Sequence, residues 1–224
     1  MERLIVFGCS LTYGHGLPDC FIPPKQPGSH PSKMGYPSIL AKYMNLECIN
    51  QSSPGASNKR IWDTVTKFNY HKNDIVIIQW SYIERNAIIH RDKIIDIGPW
   101  MPHSFYDTYD EYDSTIMSTL YVSHSNMFLS TKNIKVYNII PGVNELPILD
   151  FNGVIIDHIP VYITAMRELY PLALDKRHPG IECQETYSKE ILQYLNIKND
   201  LPDHKPFGIL GKFKRNIEFM RHNR

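Results

Sequence analysis

Apolar residues fall in short runs along this chain, each cut off by Gly, Pro, Ser or Asn. The first run, Leu4-Ile5-Val6-Phe7, stops at Gly8 and gives way to Cys9-Ser10-Leu11-Thr12. That is the pattern of a buried strand ending in a tight turn. Tyr36 to Asn45 has helical spacing, with Ile39, Leu40 and Tyr43 on one face, and Leu46 to Asn50 reads as a short second strand. A polar turn, Gln51 to Ser57, leads into a helix that runs to about Phe68. Asp74 to Trp80 is almost wholly apolar, as a parallel strand covered on both faces should be. Lys135 to Gly142 reads as another strand and turn, Phe151 to Asp157 as a short strand or connection, and residues 160–170 as helical. Glu185 to Tyr194 is amphipathic, with Ile191, Leu192 and Leu195 turned toward the sheet. Strands that alternate with helices predict an α/β fold around a parallel sheet.

Two stretches do not fit that alternation. Residues 15–37 carry Pro18, Pro23, Pro24, Pro27, Pro31 and Pro37, which forbid a long helix and predict a long structured loop of the kind that forms rims or lids. Residues 87–132 mix Trp100, Phe105, Tyr106, Tyr109, Tyr112 and Tyr121 with Asp107, Asp110, Glu111, Asp113, His90, His103 and His124. Such an aromatic and acidic insertion can wall a binding site, or its tyrosines can be core.

With 224 residues the chain is of a size for one domain, here residues 1–197, followed by a basic tail or extra helix at 198–224. Its 42% hydrophobic and 21% charged residues are an ordinary globular mixture, and a formal net charge of +1 gives no bulk attraction to nucleic acid or to an anionic membrane. Met1-Glu2-Arg3 runs straight into the first strand without the parts of a secretory signal, and no apolar run approaches the ~20 residues that span a bilayer. The expectation is a cytoplasmic chain. Cys9, Cys20, Cys48 and Cys183 lack C-x-x-C spacing, so neither a zinc site nor a disulfide framework is expected, and no metal or cofactor is called for.

Ser10 sits just past the carboxyl end of the first strand, where an open α/β sheet binds its ligands, and is a candidate nucleophile as well as a candidate helix cap. Cys9 is its neighbour, but adjacent residues on a strand point to opposite faces, so at most one of the two faces the crevice. Near the other end of the chain, Asp175 precedes His178 by three residues, close enough for the carboxylate to fix the imidazole's tautomer.

Gly8-Cys9-Ser10-Leu11-Thr12 resembles the GDSL signature, and Asp175 to His178 the D-x-x-H signature, of the SGNH (GDSL) hydrolase superfamily. The resemblance covers residues 3–197 and implies a three-layer α/β/α, flavodoxin-like fold with a parallel sheet of about five strands. It implies a serine esterase in which Ser10 attacks an ester, His178 is the base and Asp175 orients it. Gly55, in Pro54-Gly55, takes the place of the family's second-block glycine, whose N–H joins that of Ser10 in the oxyanion hole. Two positions depart from the pattern: Cys9 replaces the signature aspartate, and the strand ending at Trp80 lacks the family's G-x-N-D. Aligned strand ends put Ser81 at the asparagine, making its hydroxyl the third donor, with Arg85 or Asn86 reaching in from a following helix as the alternative. Asn58, Trp80, Arg85 and Asn86 are candidate substrate contacts. The polar, aromatic rim favours a small acyl ester, acetyl-type, on a small molecule or glycan. An O-acyltransferase using the same triad, or a non-catalytic SGNH-fold module that binds glycan or protein, are the alternatives.

Overall fold

The computed structural model describes residues 2–91, 93–100, 109–142, 144–145, 150–151, 154–155 and 158–195. The basic segment 198–224, and Phe105, Tyr106, Asp107 and His103 of the aromatic insertion, lie outside them.

β1 (Arg3–Phe7) is the hub, because its Leu4, Ile5, Val6 and Phe7 are all completely buried. A strand can be apolar on both faces only if both are covered, and here helices cover them. α1 (Ser10–Tyr13) follows, then β2 (Phe21–Ile22) and β3 (Gln26–Pro27), which form a small antiparallel ribbon within the proline-rich loop. α2 (Tyr36–Met44) leads to β4 (Glu47–Asn50), and α3 (Asn58–Lys67) to β5 (Ile75–Gln79). β6 (Asn86–His90) and β7 (Lys93–Ile97) form an antiparallel hairpin, followed by α4 (Glu111–Thr131) and β8 (Lys135–Ile139). β9 (Asp150–Phe151), β10 (Val154–Ile155), α5 (Ile163–Arg167) and α6 (Ile181–Tyr194) complete the chain.

The sheet has the parallel order β4-β1-β5-β8, with Val6 opposite Asn50, Phe7 opposite Ile78 and Gln79 opposite Ile139. About five strands were expected. The described residues give four, with the fifth reduced to a single parallel bridge between Ile139 and Ile159. The ends of β1, β4 and β5 therefore open on one edge, which carries Ser10, the turn around Gly55, and Ser81. Among the described residues no helix is long and apolar enough to cross a membrane.

Three local expectations change. α2 buries Tyr36, Pro37, Leu40 and Ala41, while Tyr43 is 38% exposed, so its inward face is turned from the one read off the apolar spacing. The phase is set by packing: Tyr36 meets Tyr187 of α6 edge to face, with ring centroids 5.0 Å apart. The segment after β5, expected to be helical, is the β6–β7 hairpin. Third, the unpatterned stretch 87–132 contains the 21-residue α4, whose buried face is Ser114, Thr115, Ser118, Thr119, Val122, Ser125 and Leu129. Those positions repeat at helical spacing, yet most carry small hydroxyl residues, so a hydrophobic pattern cannot reveal them. Asp110 caps this helix by accepting from the N–H of Asp113 at 2.8 Å.

Candidate active site

Ser10 begins α1 where the chain leaves β1, and it is 4% exposed. Its Oγ lies 2.9 Å from Nε2 of His178, a residue 168 positions away. Cys9 points the other way, into the hydrophobic core.

His178 stands on a short loop between α5 and α6 that is closed on itself. Ala173 N–H donates to His178 O at 2.9 Å, Gly180 N–H to Pro171 O at 3.2 Å, and Leu172 bridges Pro179. Inside that loop Asp175 works in two directions. Its Oδ1 accepts from the N–H groups of Arg177 and His178, each at 3.0 Å, while its Oδ2 meets His178 Nδ1 at 2.5 Å. The acid thus shapes the turn and holds the ring whose far nitrogen faces Ser10. Burial opposes ionisation of Asp175, but those backbone donors and the imidazole outweigh it and hold the carboxyl below its usual range. Burial lowers the His178 pKa, Asp175 raises it, and the positive fields of His15 and Arg85 lower it again, with a net shift downward. A neutral imidazole that accepts at Nε2 is the form able to take a proton from Ser10.

Two neighbours were not singled out by sequence reasoning. His15 stacks on His178 with ring centroids 4.6 Å apart, and Gly16, at φ +89°, packs against Asp175 and accepts from Leu174 N–H at 2.9 Å. The signal was faint, a His-Gly pair inside a loop rich in both residues. The donor atoms of His15, Asp175 and His178 lie within 4.8 Å of one another, as a metal site requires. The hydrogen bonds there run from His178 to Ser10 and Asp175, and His15 Nε2 meets Lys25 O at 3.0 Å.

On the opposite side of the crevice, Ser53 N–H donates to Gly8 O at 3.1 Å and tethers the turn that carries Gly55 to the end of β1. Gly55 is left-handed at φ +77°, a conformation that strains any residue with a Cβ. Ser81 is fully buried, and its N–H is taken by Asn58 Oδ1 at 2.6 Å, leaving the hydroxyl as its donor. That Oγ accepts from Arg85 Nη1 at 3.1 Å.

The structure separates the candidate substrate contacts. Arg85 is partly exposed near the site, and Asn86 opens β6 with its Oδ1 accepting from Ala87 N–H. Asn58 and Trp80 occupy interior positions. Asn58 is 1% exposed and spans Ser81 N–H and Ser118 Oγ, and Trp80 is fully buried with its indole N–H donating to Asn138 Oδ1 at 3.0 Å. Both hold the end of β5, because Trp80 continues the alternation of a strand buried on both sides and Asn58 caps its exit.

No family model matches the chain, and no curated protein does. Solved structures do resemble it. One is a carbohydrate esterase whose active site is described as displaying divergent catalytic and non-catalytic binding functions, at 12% identity and TM-score 0.55 over 88% of this chain and 69% of that one. Another is an acetyl xylan esterase from the rumen bacterium Butyrivibrio proteoclasticus, at 14% identity and TM-score 0.55 over 87% of this chain and 63% of that one. A third is a carbohydrate esterase family 2 enzyme with a carbohydrate binding domain from Corynascus thermopiles, at 10% identity and TM-score 0.53, covering 87% of this chain and 65% of that one. The chain spans about two thirds of the length of these proteins. With its parallel β4-β1-β5-β8 sheet between helices, it shares a three-layer α/β/α fold with these esterases.

Proposed function

We propose that this protein is a serine-dependent ester hydrolase of the SGNH superfamily acting on a small acyl ester, acetyl-type, carried by a small molecule or carbohydrate. The observation that carries the reading is the chain of contacts from Ser10 Oγ through His178 to Asp175, assembled from opposite ends of the sequence at 2.9 Å and 2.5 Å. Ser10 Oγ attacks the ester carbonyl while His178 Nε2 takes its proton. The tetrahedral intermediate collapses, the C–O bond to the alcohol breaks, and the imidazolium returns the proton to the departing oxygen. Water, deprotonated by the same imidazole, then cleaves the acyl-serine to carboxylate and free Ser10. Asp175 keeps Nδ1 protonated and stabilises the imidazolium.

The N–H groups of Ser10 and Gly55 and the hydroxyl of Ser81 are the donors assigned to the oxyanion. Each donor of this kind lowers the barrier by about 3–4 kcal/mol where it has been removed in other enzymes. The engaged backbone of Ser81, in place of an asparagine amide, favours the second reading, a binding module that holds a glycan without turning it over.

Fluorophosphonate labelling and p-nitrophenyl acetate turnover separate the two. Labelling and turnover by the native chain and by Cys9→Ala, both lost in Ser10→Ala and His178→Ala, are the expected result. A folded native chain that neither labels nor hydrolyses overturns the hydrolase in favour of the binding module.

A further inference from the structure

Arg85 is the charged group at this crevice that the ester chemistry leaves without a task. After β5 the chain turns back, Arg85 N–H donating to Tyr82 O at 3.1 Å, and this returns the guanidinium to Ser81, where Nη1 donates to Oγ. Two aromatic rings hold it there: Cζ lies 4.9 Å from the Tyr82 ring centroid and 5.0 Å from that of Trp100. The Trp100 ring itself lies across Gly98, where any Cβ would collide with it, and reaches the turn at Gly55. The cation therefore stands beside two of the elements assigned to the oxyanion hole, and its positive field reaches His178.

Among the described residues it has no paired anion. The ion pairs among the described residues join Arg3 to Asp74, Arg60 to Asp96, Lys67 to Asp63 and His178 to Asp175, and Arg85 is in none of them. Its Nε is removed from solvent and has no hydrogen-bond partner among the described residues. Glu145, whose charged form Arg85 favours, accepts from Ile83 N–H, and burial pushes its carboxyl up to about 8, against the charged form that would pair with a cation. A guanidinium set beside two aromatic rings, with one N–H on a neutral hydroxyl and another buried without a partner, has lost hydration without gaining a counter-ion among the described residues. Its planar fork is the geometry that takes a carboxylate.

We propose that Arg85 reads a negatively charged group on the substrate, a carboxylate borne by the alcohol or the acyl part of the ester, so that anionic esters are preferred over neutral ones. This rests on the ester-hydrolase reading for its setting. In its absence Arg85 remains an anion-binding group in the same crevice.

The test compares matched esters on the full chain. For the alcohol side these are 4-acetoxyphenylacetate and its carboxamide, and for the acyl side mono-4-nitrophenyl succinate and 4-nitrophenyl succinamate, with background hydrolysis subtracted. The ratio of kcat/KM for anion over amide is read in the native chain, Arg85→Gln and Arg85→Lys, so that any general loss of catalysis cancels. The expected ratio in one pair is about tenfold or more in the native chain, as a hydrogen-bonded charge provides. It should fall to about one in Arg85→Gln and persist in part in Arg85→Lys. A native ratio near or below one in both pairs, or one that Arg85→Gln leaves unchanged, overturns the proposal while the hydrolase stands. If no ester is turned over, calorimetric binding of 4-hydroxyphenylacetate against 4-hydroxyphenylacetamide decides. An Arg85-dependent preference for the acid supports the anion site without the hydrolase, and equal binding overturns it.

Discussion

Gly16 touches Asp175 so closely that a Cβ at Gly16 would lie 2.7 Å from the carboxyl carbon, with the backbone at φ +89°. A loop near the N-terminus and one near the C-terminus thus meet through a glycine and an acid, and the Leu174 N–H to Gly16 O bond locks the meeting.

Gly16→Ala pushes the Asp175 carboxylate away from its place beside His178 and strains the turn. The expected result is a folded protein whose kcat on p-nitrophenyl acetate falls roughly 10- to 100-fold, as misplacements of about 1 Å in catalytic groups produce. A melting curve run in parallel separates this from unfolding. Full activity in a folded Gly16→Ala variant would show that the acid's position is not set by this contact.

The acid limb of kcat/KM should lie below about 6.5, the ordinary imidazole value. His178 must be neutral to act as base, and burial together with the fields of His15 and Arg85 outweighs Asp175 in lowering its pKa. Because the lowered value keeps the base form available at more acidic pH, activity extends downward. Arg85→Gln removes one of those fields and should shift the limb upward. A limb above the ordinary value in the native chain, or a downward shift in the variant, contradicts the assignment.

Glu145 is 2% exposed, and burial and the neighbouring Glu84 push its carboxyl up to about 8, against the pull of Ile83 N–H and Arg85, with Glu111 adding to the rise. A folded-state pKa above the unfolded one means that the folded chain holds a proton the unfolded chain has released. This stabilisation is complete below about 4.3, the ordinary glutamate value, and is lost as pH rises through about 8. Glu145→Gln keeps an acceptor for Ile83 and removes the titration, so its Tm should fall less than the native Tm between pH 5 and 9. Parallel Tm curves would refute the buried acid.

The alternation of short apolar runs with turn residues already determined the parallel α/β architecture, because a strand covered on both faces must be apolar along its whole length, as Leu4 to Phe7 and Ile75 to Ile78 are. The Ser10 and Asp175-x-x-His178 signatures were legible too, since a turn after a strand and an acid three residues from a histidine are local patterns. The tertiary structure decided the rest. α4 buries serines and threonines, which are small enough to pack and can hydrogen-bond within their own helix, as Thr115 does to Glu111 O and Thr119 to Thr115 O, so its inward face is invisible to a hydrophobic period. Asn58 and Trp80 read as substrate contacts in the sequence, and the structure sets them in the interior against Ser118 and Asn138, because burial depends on which elements arrive opposite them. The meeting of Gly16 with Asp175 and of Arg85 with Tyr82 and Trp100 follows no local spacing. These are contacts between loops that come together only when the sheet sets the ends of its strands side by side.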